Sequence, residues 1–315
     1  MTQQPANPKS RVARGTGNIL VTGATGLLGR AVCQALGARK VKFRALVRVS
    51  SQRDLLQGTN AWMAEGDLLR PDSLLPALEG VEVLLHLAGL VRSKDPAALQ
   101  AMHVDATRDL LERSTARRVV VVSSDTVERT HRSAYADSKL AMEELLAGLD
   151  REIVILRPPM ILGPGSPHLA ALERVARLPI VPVPAGSGRR RPVWVGDVAD
   201  AVLAAMDLPS DQLPGRPIDL PGAFAVPLPT LIKAVARAQG HREPRILEVP
   251  STALRGVARA LQTLRSEPLL SIERLEGLAE EVMSDGKMAR HRLGWKPRVL
   301  EEILAGCYAA PAAGR

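Results

Sequence analysis

The sequence predicts an α/β protein built on a doubly wound parallel β-sheet, with a smaller C-terminal region beside it. Three observations indicate this fold. Short apolar runs alternate with stretches of helical periodicity through the first half of the chain, which is typical of βαβ units. A glycine-rich turn joins the first apolar run to the first helical stretch. Beyond Pro158 proline and glycine become dense, so the regular alternation stops there.

Six strands are predicted before Pro158. They lie in the segments NILV, VKFRALVR, AWMAEGDLL, VEVLLHLAG, VVVVSS and EIVILRP. Helices are predicted between them, including a short one from Pro71 to Gly80, a long one in AALQAMHVDATRDLLERSTARR and another in SKLAMEELLAGLD. Beyond Pro158 we expect loops and short elements, then a strand and helix in VWVGDVADAVLAAM.

Composition narrows the class of protein. The chain has 315 residues, 46% hydrophobic but only 2% aromatic, so its core must be aliphatic. Its net charge of +9 comes from basic residues spread along the chain without interleaved aromatic residues, which argues against nucleic-acid binding. The two cysteines form no metal-ligand pattern, so no metal is expected, and reduced thiols favour the cytoplasm. No apolar run reaches about 18 residues, so no membrane span is predicted.

The glycines of TGATGLLG have the spacing of a dinucleotide-binding turn. Gly23 would allow the tight turn, Gly26 would let the backbone approach a pyrophosphate, and Gly29 would let helix pack on sheet. The helix N-terminus would then face the anion. The sequence therefore predicts a Rossmann-type domain that binds NAD(P).

The ends of the second and third strands bear on which dinucleotide is bound. Arg48 stands where an acidic residue would hold the ribose of NAD, and Arg53 follows. Arginine suits the 2′-phosphate of NADP, so NADP is favoured and NAD is the alternative. Asp67 follows the third strand; it could accept a hydrogen bond from adenine or cap the next turn.

Tyr135 and Lys139 stand four residues apart, which places them on one face of a helix. A neighbouring ammonium favours the phenolate, so we expect Lys139 to lower the pKa of Tyr135 and make it a proton donor or acceptor. Ser123 and Ser124 end the preceding strand at the carboxyl edge, where such sheets bind ligands. The alternative is a surface pair without a chemical role.

Together these motifs resemble the extended short-chain dehydrogenase/reductase family, in its nucleotide-sugar epimerase, dehydratase and 4-keto reductase branch. The resemblance covers nearly the whole chain after residue 17. It is carried by the segments TGATGLLG, GDL, HLAG, VSSDTV, YADSK, RPPMILGPG, RRRPVWVGDVADAV and SDGKMARHRLGWKP.

The resemblance implies roles for individual residues. Ser124 would polarise a carbonyl, Tyr135 would be the general acid/base, and Lys139 would hold the nicotinamide ribose. Arg190 and Arg191 would meet a substrate diphosphate, unless they form a solvated basic loop. The implied cofactor-binding residues are Gly23, Thr25, Gly26, Leu27, Leu28, Gly29, Arg48, Asp67, Leu68, Leu87, Ala88, Gly89, Tyr135, Lys139 and Pro158.

The predicted organisation follows from these motifs. Residues 1–17 are expected to be a disordered tail and residues 18–157 the NAD(P)-binding domain, to which residues 190–220 return. Residues 158–189 and 221–315 are expected to form a partly interleaved substrate-binding region. The resemblance also implies a homodimer, formed through helices on the flank of the sheet.

Three departures from the family pattern bear on activity. Ser124 and Tyr135 are only eleven residues apart, so the pocket is expected to be more open than in the epimerases. His103 stands where the family often has an asparagine that supports the active site; the histidine would either substitute for it or lie in the core as a hydrogen-bonded polar group. Asp125 and Thr126 follow Ser124 without the Asp-Glu pair of the dehydratases, which makes dehydration the least favoured reaction.

Three functions remain after this comparison. The favoured one is an NADP(H)-dependent oxidoreductase that transfers hydride at a carbonyl or hydroxyl carbon of a nucleotide- or lipid-linked sugar. The second is an NAD-dependent sugar epimerase. The third is a cofactor-binding structural protein, similar to the family member associated with respiratory complex I; the intact pair of Tyr135 and Lys139 argues against it.

Overall fold

The computed structural model describes residues 18–91, 93, 95–250, 252–254 and 280–309. The expected disordered tail, residues 1–17, lies outside the described residues. The strands are β1 (Ile19–Thr22), β2 (Phe43–Val47), β3 (Ala61–Glu65), β4 (Val83–His86), β5 (Arg118–Val122), β6 (Glu152–Arg157), β7 (Ile161–Leu162), β8 (Ile180–Pro184), β9 (Arg189–Arg190), β10 (Val193–Trp194), β11 (Ile218–Asp219), β12 (Val226–Pro227) and β13 (Arg245–Val249).

Helices of the described residues connect these strands. They are α1 (Leu27–Ala38), α2 (Leu75–Leu78), α3 (Pro96–Gln100), α4 (Ala106–Arg113), α5 (Ala134–Ala147), α6 (Pro167–Ala176), α7 (Val195–Met206), α8 (Leu228–Ala238), α9 (Lys287–Leu293) and α10 (Leu300–Tyr308).

The central sheet has seven parallel strands in the order β11-β6-β5-β4-β1-β2-β3. The chain adds strands outward on one side of β1 and then crosses to β4 on the other side. This reversal creates a crevice at the carboxyl ends of β1 and β4, which is where doubly wound sheets bind ligands. The predicted Rossmann-type parallel sheet is confirmed.

Aliphatic side chains bury both faces of the sheet, as the scarcity of aromatic residues predicts. One face packs against α1 and α7, with Val32, Leu36 and Val202 fully buried. The other face packs against α4 and α5, where Leu110 and Met142 are fully buried. Burial on both faces explains why the central strands β1, β4 and β5 are nearly continuous apolar runs without alternation.

The predicted long helix after β4 is interrupted. The chain forms α3, then a π-helical turn over Ala101–Asp105, and only then α4. The side chain of His103, which lies in this turn, is buried in the protein. Such turns recur at functional sites, and apolar periodicity in the sequence does not reveal them. The next helix, α5, begins at Ala134, because the Ser133 hydroxyl caps it by accepting the Ala136 N–H.

A third group of buried side chains lies beyond β6. Helices α6, α8 and α10 pack there against β8, and Leu231, Val235 and Ile303 are fully buried. The five-residue strand β8 is longer than the short elements expected, despite its two prolines. Since β8 pairs with β13 alone among the described strands, its prolines cost few ladder hydrogen bonds. Among the described residues, every helix falls short of the length and hydropathy required to cross a bilayer.

Candidate active site

The turn between β1 and α1 leaves space that side chains would fill. Gly23 has a φ of +68°, and a Cβ there would lie 2.7 Å from the backbone of Ala88. A Cβ on Gly29 would lie 2.0 Å from the Gly23 carbonyl oxygen. Gly26 is the N-cap of α1 and supplies no side-chain hydrogen bond, so the first N–H groups of α1 are left for an anion. The turn therefore has the shape and the donors that a pyrophosphate needs.

The flanks of this turn are apolar. Leu28 is buried in the core beside the sheet, Leu27 is half-buried against the same core, and Thr25 is half-buried.

Arg48 and Asp67 lie beyond the ends of β2 and β3. Among the described residues the Arg48 guanidinium makes no hydrogen bond or ion pair, whereas Arg53 pairs with Glu65 at 2.7 Å. Of the two arginines, Arg48 is thus the one with a guanidinium left for a ligand. Asp67 Oδ1 accepts the Leu69 N–H at 3.0 Å, so the turn-capping role is present. Leu68 beside it is buried.

The residues after β4 border the predicted catalytic lysine. A Cβ on Gly89 would lie 3.4 Å from Lys139 Nζ. Leu87 and Ala88 are half-buried in the same segment. The carbonyl oxygen of Pro158, after β6, accepts the Asp125 N–H at 3.2 Å. Residues predicted from separate motifs therefore converge at one edge of the sheet.

Ser124 has a hydroxyl whose direction is constrained by its neighbour Thr126. The Ser124 Oγ accepts the Thr126 N–H at 3.2 Å and the Thr126 hydroxyl at 2.9 Å. These two donors occupy both lone pairs of the oxygen. The Ser124 hydroxyl can therefore act only as a donor, and it donates to Asp125 Oδ1 at 3.5 Å. The adjacent Ser123 Oγ is buried without a partner among the described residues.

Tyr135 and Lys139 both lie on α5 near its start. Lys139 is 4% exposed and donates to the Val122 carbonyl oxygen at 3.0 Å. Burial lowers its pKa to about 8, opposed by the charge of Glu143. Burial raises the pKa of Tyr135 to about 12, although the Ser124 side chain hydrogen-bonds the phenol and lowers it. The prediction that Lys139 lowers the Tyr135 pKa is therefore wrong for the protein without cofactor, because desolvation dominates.

A second acid lies beside Ser124. Burial raises the pKa of Asp125 to about 6, while the charges of Arg129 and Arg190 lower it. The carboxylate Oδ1 lies 3.5 Å from the Ser124 Oγ. Neither Asp125 nor Thr126 was assigned a role from the sequence, although both directly follow the predicted serine. Their adjacency was the only available signal.

Arg190 and Arg191 differ in their surroundings. Arg190 is 7% exposed and donates to the carbonyl oxygens of Arg189 and Glu280. Arg191 is half-buried, and its Nε has no partner among the described residues. Arg190 lies near Asp125, as the mutual effect of their charges on pKa indicates. The described residues contain no cluster of His, Cys, Asp and Glu suited to a metal ion.

A comparison with protein families decides the class of this site. The NAD dependent epimerase/dehydratase family matches residues 19–220. The chain belongs to this family. Its match spans the whole parallel sheet and every predicted catalytic residue, so the resemblance that the motifs carry is confirmed. Members of this family are NAD-dependent epimerases and dehydratases, and relatives of this chain include named reductases.

Curated relatives of the family show which activities occur near this sequence. A ceramide reductase of Caulobacter vibrioides is 32% identical over 191 residues, which are 60% of this chain and 60% of that protein. A 2-alkyl-3-oxoalkanoate reductase of Stenotrophomonas maltophilia is 29% identical over 338 residues, 94% of this chain and 99% of the reductase. A photosystem II assembly factor, Ycf39 of Cyanophora paradoxa, is 33% identical over 102 residues, 32% of each chain. The chain thus spans less than two thirds of the ceramide reductase.

Solved structures agree with the fold of the family. The crystal structure of gox2253 superposes with a TM-score of 0.76 at 27% identity, covering 93% of this chain and 97% of the other. The UDP-glucose 4-epimerase of Thermus thermophilus in complex with NAD has a TM-score of 0.69 at 22% identity, covering 93% and 99%. The protein RMD of Pseudomonas aeruginosa in complex with NADPH has a TM-score of 0.66 at 20% identity, covering 92% and 97%. Both dinucleotides thus occur within this fold.

Proposed function

We propose that this chain is an NADP(H)-dependent ketone reductase that uses Ser124, Tyr135 and Lys139. One observation carries the proposal. Thr126 donates twice to the Ser124 oxygen, so the Ser124 hydroxyl can act only as a donor, and the Tyr135 phenol lies close enough to Ser124 for this side chain to lower its pKa. A carbonyl oxygen placed there would take the Ser124 hydrogen bond in place of Asp125 and would meet the phenol proton as well.

The side chains divide the proton chemistry between them. NADPH, when bound, supplies the hydride that a carbonyl carbon accepts. Ser124 donates a hydrogen bond to the carbonyl oxygen and stabilises the negative charge that grows there. Tyr135 gives its proton to that oxygen, so the ketone becomes a secondary alcohol. Lys139 supplies the positive charge that stabilises the resulting phenolate, and its burial strengthens that effect.

The cofactor is held by the turn and by Arg48. The uncapped N-terminus of α1 supports pyrophosphate binding. The unengaged guanidinium of Arg48 supports NADPH over NADH, because a guanidinium can hold a 2′-phosphate with two hydrogen bonds. Gly89 and Pro158 border Ser124 and Lys139, so the nicotinamide end is assigned to that part of the crevice.

A 3-oxo compound with an alkyl chain is the favoured substrate class. One relative matched over nearly its full length is named for reducing a 2-alkyl-3-oxoalkanoate. Arg190 was expected to bind a diphosphate, but it donates to two backbone carbonyls and lies near the carboxylate of Asp125. Both features weaken the case for a nucleotide-linked sugar, which remains the comparison substrate.

Two other functions make different predictions. An epimerase would retain NAD and interconvert sugar epimers without net oxidation. A cofactor-binding assembly protein is supported by the 33% identity to an assembly factor, although over only 32% of the chain. Such a protein would bind NADPH and need no proton donor at Tyr135.

The test is NADPH consumption by the purified full chain. A 2-alkyl-3-oxoalkanoate and a nucleotide-linked keto sugar are compared as substrates. We expect turnover of the former, and a loss of about 10²–10⁴-fold in kcat for Tyr135→Phe. Tyr308→Phe is the matched control, because Tyr308 is the other tyrosine of the chain and packs in the group of α6, α8 and α10.

The other outcomes separate the functions. Consumption of the keto sugar alone would change the substrate class. Epimer interconversion with retained NAD would replace the reductase by an epimerase. Tight NADPH binding without turnover of either compound, unaffected by Tyr135→Phe, would favour the assembly role.

A further inference from the structure

His103 has a defined tautomer because one of its partners can only donate. It lies in the π-helical turn and is 1% exposed. The Leu90 N–H donates to its Nε2 at 3.1 Å, so in the neutral imidazole the proton is on Nδ1. That Nδ1–H donates to Ser138 Oγ at 2.9 Å. The Ser138 hydroxyl then donates to the Tyr135 carbonyl oxygen at 2.8 Å.

His86 continues the same hydrogen-bond chain toward the cofactor turn. The Thr107 hydroxyl donates to the carbonyl oxygen of His103 at 2.7 Å. Its oxygen therefore accepts the His86 Nε2–H at 3.0 Å. The His86 Nδ1 is left to accept the hydroxyl proton of Thr22 at 2.8 Å. The donors and acceptors thus alternate without conflict from the end of β1 to the start of α5.

Both histidines stay neutral around physiological pH. Burial, and secondly the charge of Lys139, lowers the pKa of each imidazole to about 3. The direction of every bond in the chain is therefore preserved across the range in which an ordinary histidine would titrate.

The His103 ring also contacts the ring of Tyr135. The edge of its ring meets the Tyr135 ring at 81°, with 5.6 Å between centroids, a favourable T-shaped contact. A Cβ on Gly89 would lie 3.1 Å from the His103 Nε2, so the imidazole fills the space behind the segment that follows β4. One side chain thus contacts Tyr135 twice, through its ring and through Ser138.

We propose that His103 is a positioning residue, held by His86 and Thr22, that fixes the first turn of α5 and with it Tyr135. The inference rests on the proposed reductase function. The contact through which His103 acts is the hydrogen bond from Nδ1–H to Ser138, because Ser138 in turn donates to the Tyr135 backbone carbonyl. Loss of the bond lets Tyr135 move relative to Ser124, and displacements of about 1 Å can cost about 10²-fold in rate.

Two substitutions separate the two hydrogen bonds of His103. The amide N–H of His103→Asn occupies the place of Nδ1–H and retains the donor to Ser138. The amide oxygen of His103→Gln reaches the place of Nε2 and retains the acceptor for Leu90 instead. With NADPH and a 2-alkyl-3-oxoalkanoate, we expect kcat within about threefold of wild type for the asparagine and about 10–100-fold lower for the glutamine.

The NADPH dissociation constant and the thermal unfolding midpoint are measured on the same variants. Both are expected to stay near wild type, with His241→Asn, on an exposed loop residue, as the control. Ser138→Ala should reproduce the glutamine defect if either histidine variant folds poorly. Equal kcat for the two variants, or loss of NADPH binding in parallel with kcat, would overturn the proposal.

Nitrogen-15 NMR of the histidines tests the chain without any turnover. The proposal requires an Nδ1–H tautomer for His103 and an Nε2–H tautomer for His86 at neutral pH; the reverse tautomers would overturn it. If the wild type reduces neither this compound nor the keto sugar, the proposed function has failed, and the Tyr135 titration in a Tyr308→Phe background replaces kcat. A shift in the glutamine variant but not in the asparagine variant would then support the positioning role, and identical titrations would refute it.

Discussion

Lys139 donates to the carbonyl oxygen of Val122, 3.0 Å away at the last residue of β5. The bond ties helix α5 to the strand that leads into Ser124. It also uses one of the three ammonium protons, which leaves two for a ligand. Burial lowers the pKa of this ammonium to about 8, so its charge changes within an accessible pH range.

The first prediction concerns alkaline pH. Because the folded-state pKa of Lys139 is lowered, the ammonium is charged below about pH 8 and loses its proton above it. A phenolate at Tyr135 needs that charge. We therefore expect kcat/KM for NADPH, which reports groups of the free enzyme, to fall above about pH 8. Burial raises the pKa of Tyr135 to about 12, so ionisation of Tyr135 cannot cause this alkaline decrease in kcat/KM, the alkaline limb.

Lys139→Arg supplies the control for that assignment. A guanidinium stays charged throughout the range, so the alkaline limb should move upward even though altered geometry lowers the rate. An unchanged limb in the arginine variant would mean that another group titrates there.

The second prediction concerns the orientation of the Ser124 hydroxyl. Thr126→Val keeps the size and the backbone N–H but removes the hydroxyl that donates to Ser124. Ser124 can then turn its own proton elsewhere. A single hydrogen bond contributes about 0.5–1.5 kcal/mol, so kcat should fall by about 2–10-fold with little change in NADPH affinity.

Thr126→Ser should restore the rate, because it returns the hydroxyl. Thr230→Val, on the exposed surface of α8, controls for general effects of this substitution. If valine and serine at position 126 give the same kcat, the hydroxyl of Thr126 does not orient Ser124.

The third prediction concerns the cofactor. Arg48→Asp removes the unengaged guanidinium and places a carboxylate where it would repel a 2′-phosphate. We expect the preference for NADPH over NADH, measured as a ratio of dissociation constants, to fall by about 10–100-fold, the range of one lost charge-assisted bond. Arg53→Asp breaks the pair with Glu65 and should leave the ratio unchanged. A ratio that responds to Arg53 and not to Arg48 would reassign the phosphate site.

The fold was predictable where local patterns and global topology agree. Strands such as Val119–Val121 are apolar at every position because the sheet is covered on both faces, and Gly23 and Gly29 stand where a side chain would collide with backbone. The π-helical turn was not predictable, since five residues are too few for a change of period to be read from apolar spacing.

The co-location of the candidate site residues was predictable from the sequence, but their charge states were not. Spacing placed Tyr135 and Lys139 on one helix face, and they do share α5. The pKa of Tyr135 depends on how deeply the phenol is buried and on where the ammonium points, which only tertiary packing determines. Asp125 and Thr126 were overlooked for the same reason, because their role depends on the rotamer of Ser124.

The last prediction concerns stability and the buried acid Asp125. Its folded-state pKa is raised from 3.8 to about 6, so the folded state binds a proton more tightly than the unfolded chain. The stabilisation from that proton is complete below about pH 4 and is lost as pH rises through about 6. Asp125→Asn imitates the protonated form at all pH values. Its unfolding free energy relative to wild type should therefore increase by up to about 3 kcal/mol between about pH 4 and pH 8.

Denaturant unfolding at several pH values measures this difference directly. Asp137→Asn is the matched control. The Asp137 side chain is 58% exposed and forms an ion pair with Arg132. Exposed ion pairs of this kind contribute little to stability. The control should show no comparable pH dependence. A constant difference between Asp125→Asn and wild type would mean that Arg129 and Arg190 compensate the buried carboxylate fully. In that case Asp125 would be ionised throughout and available to a substrate only as a hydrogen-bond acceptor.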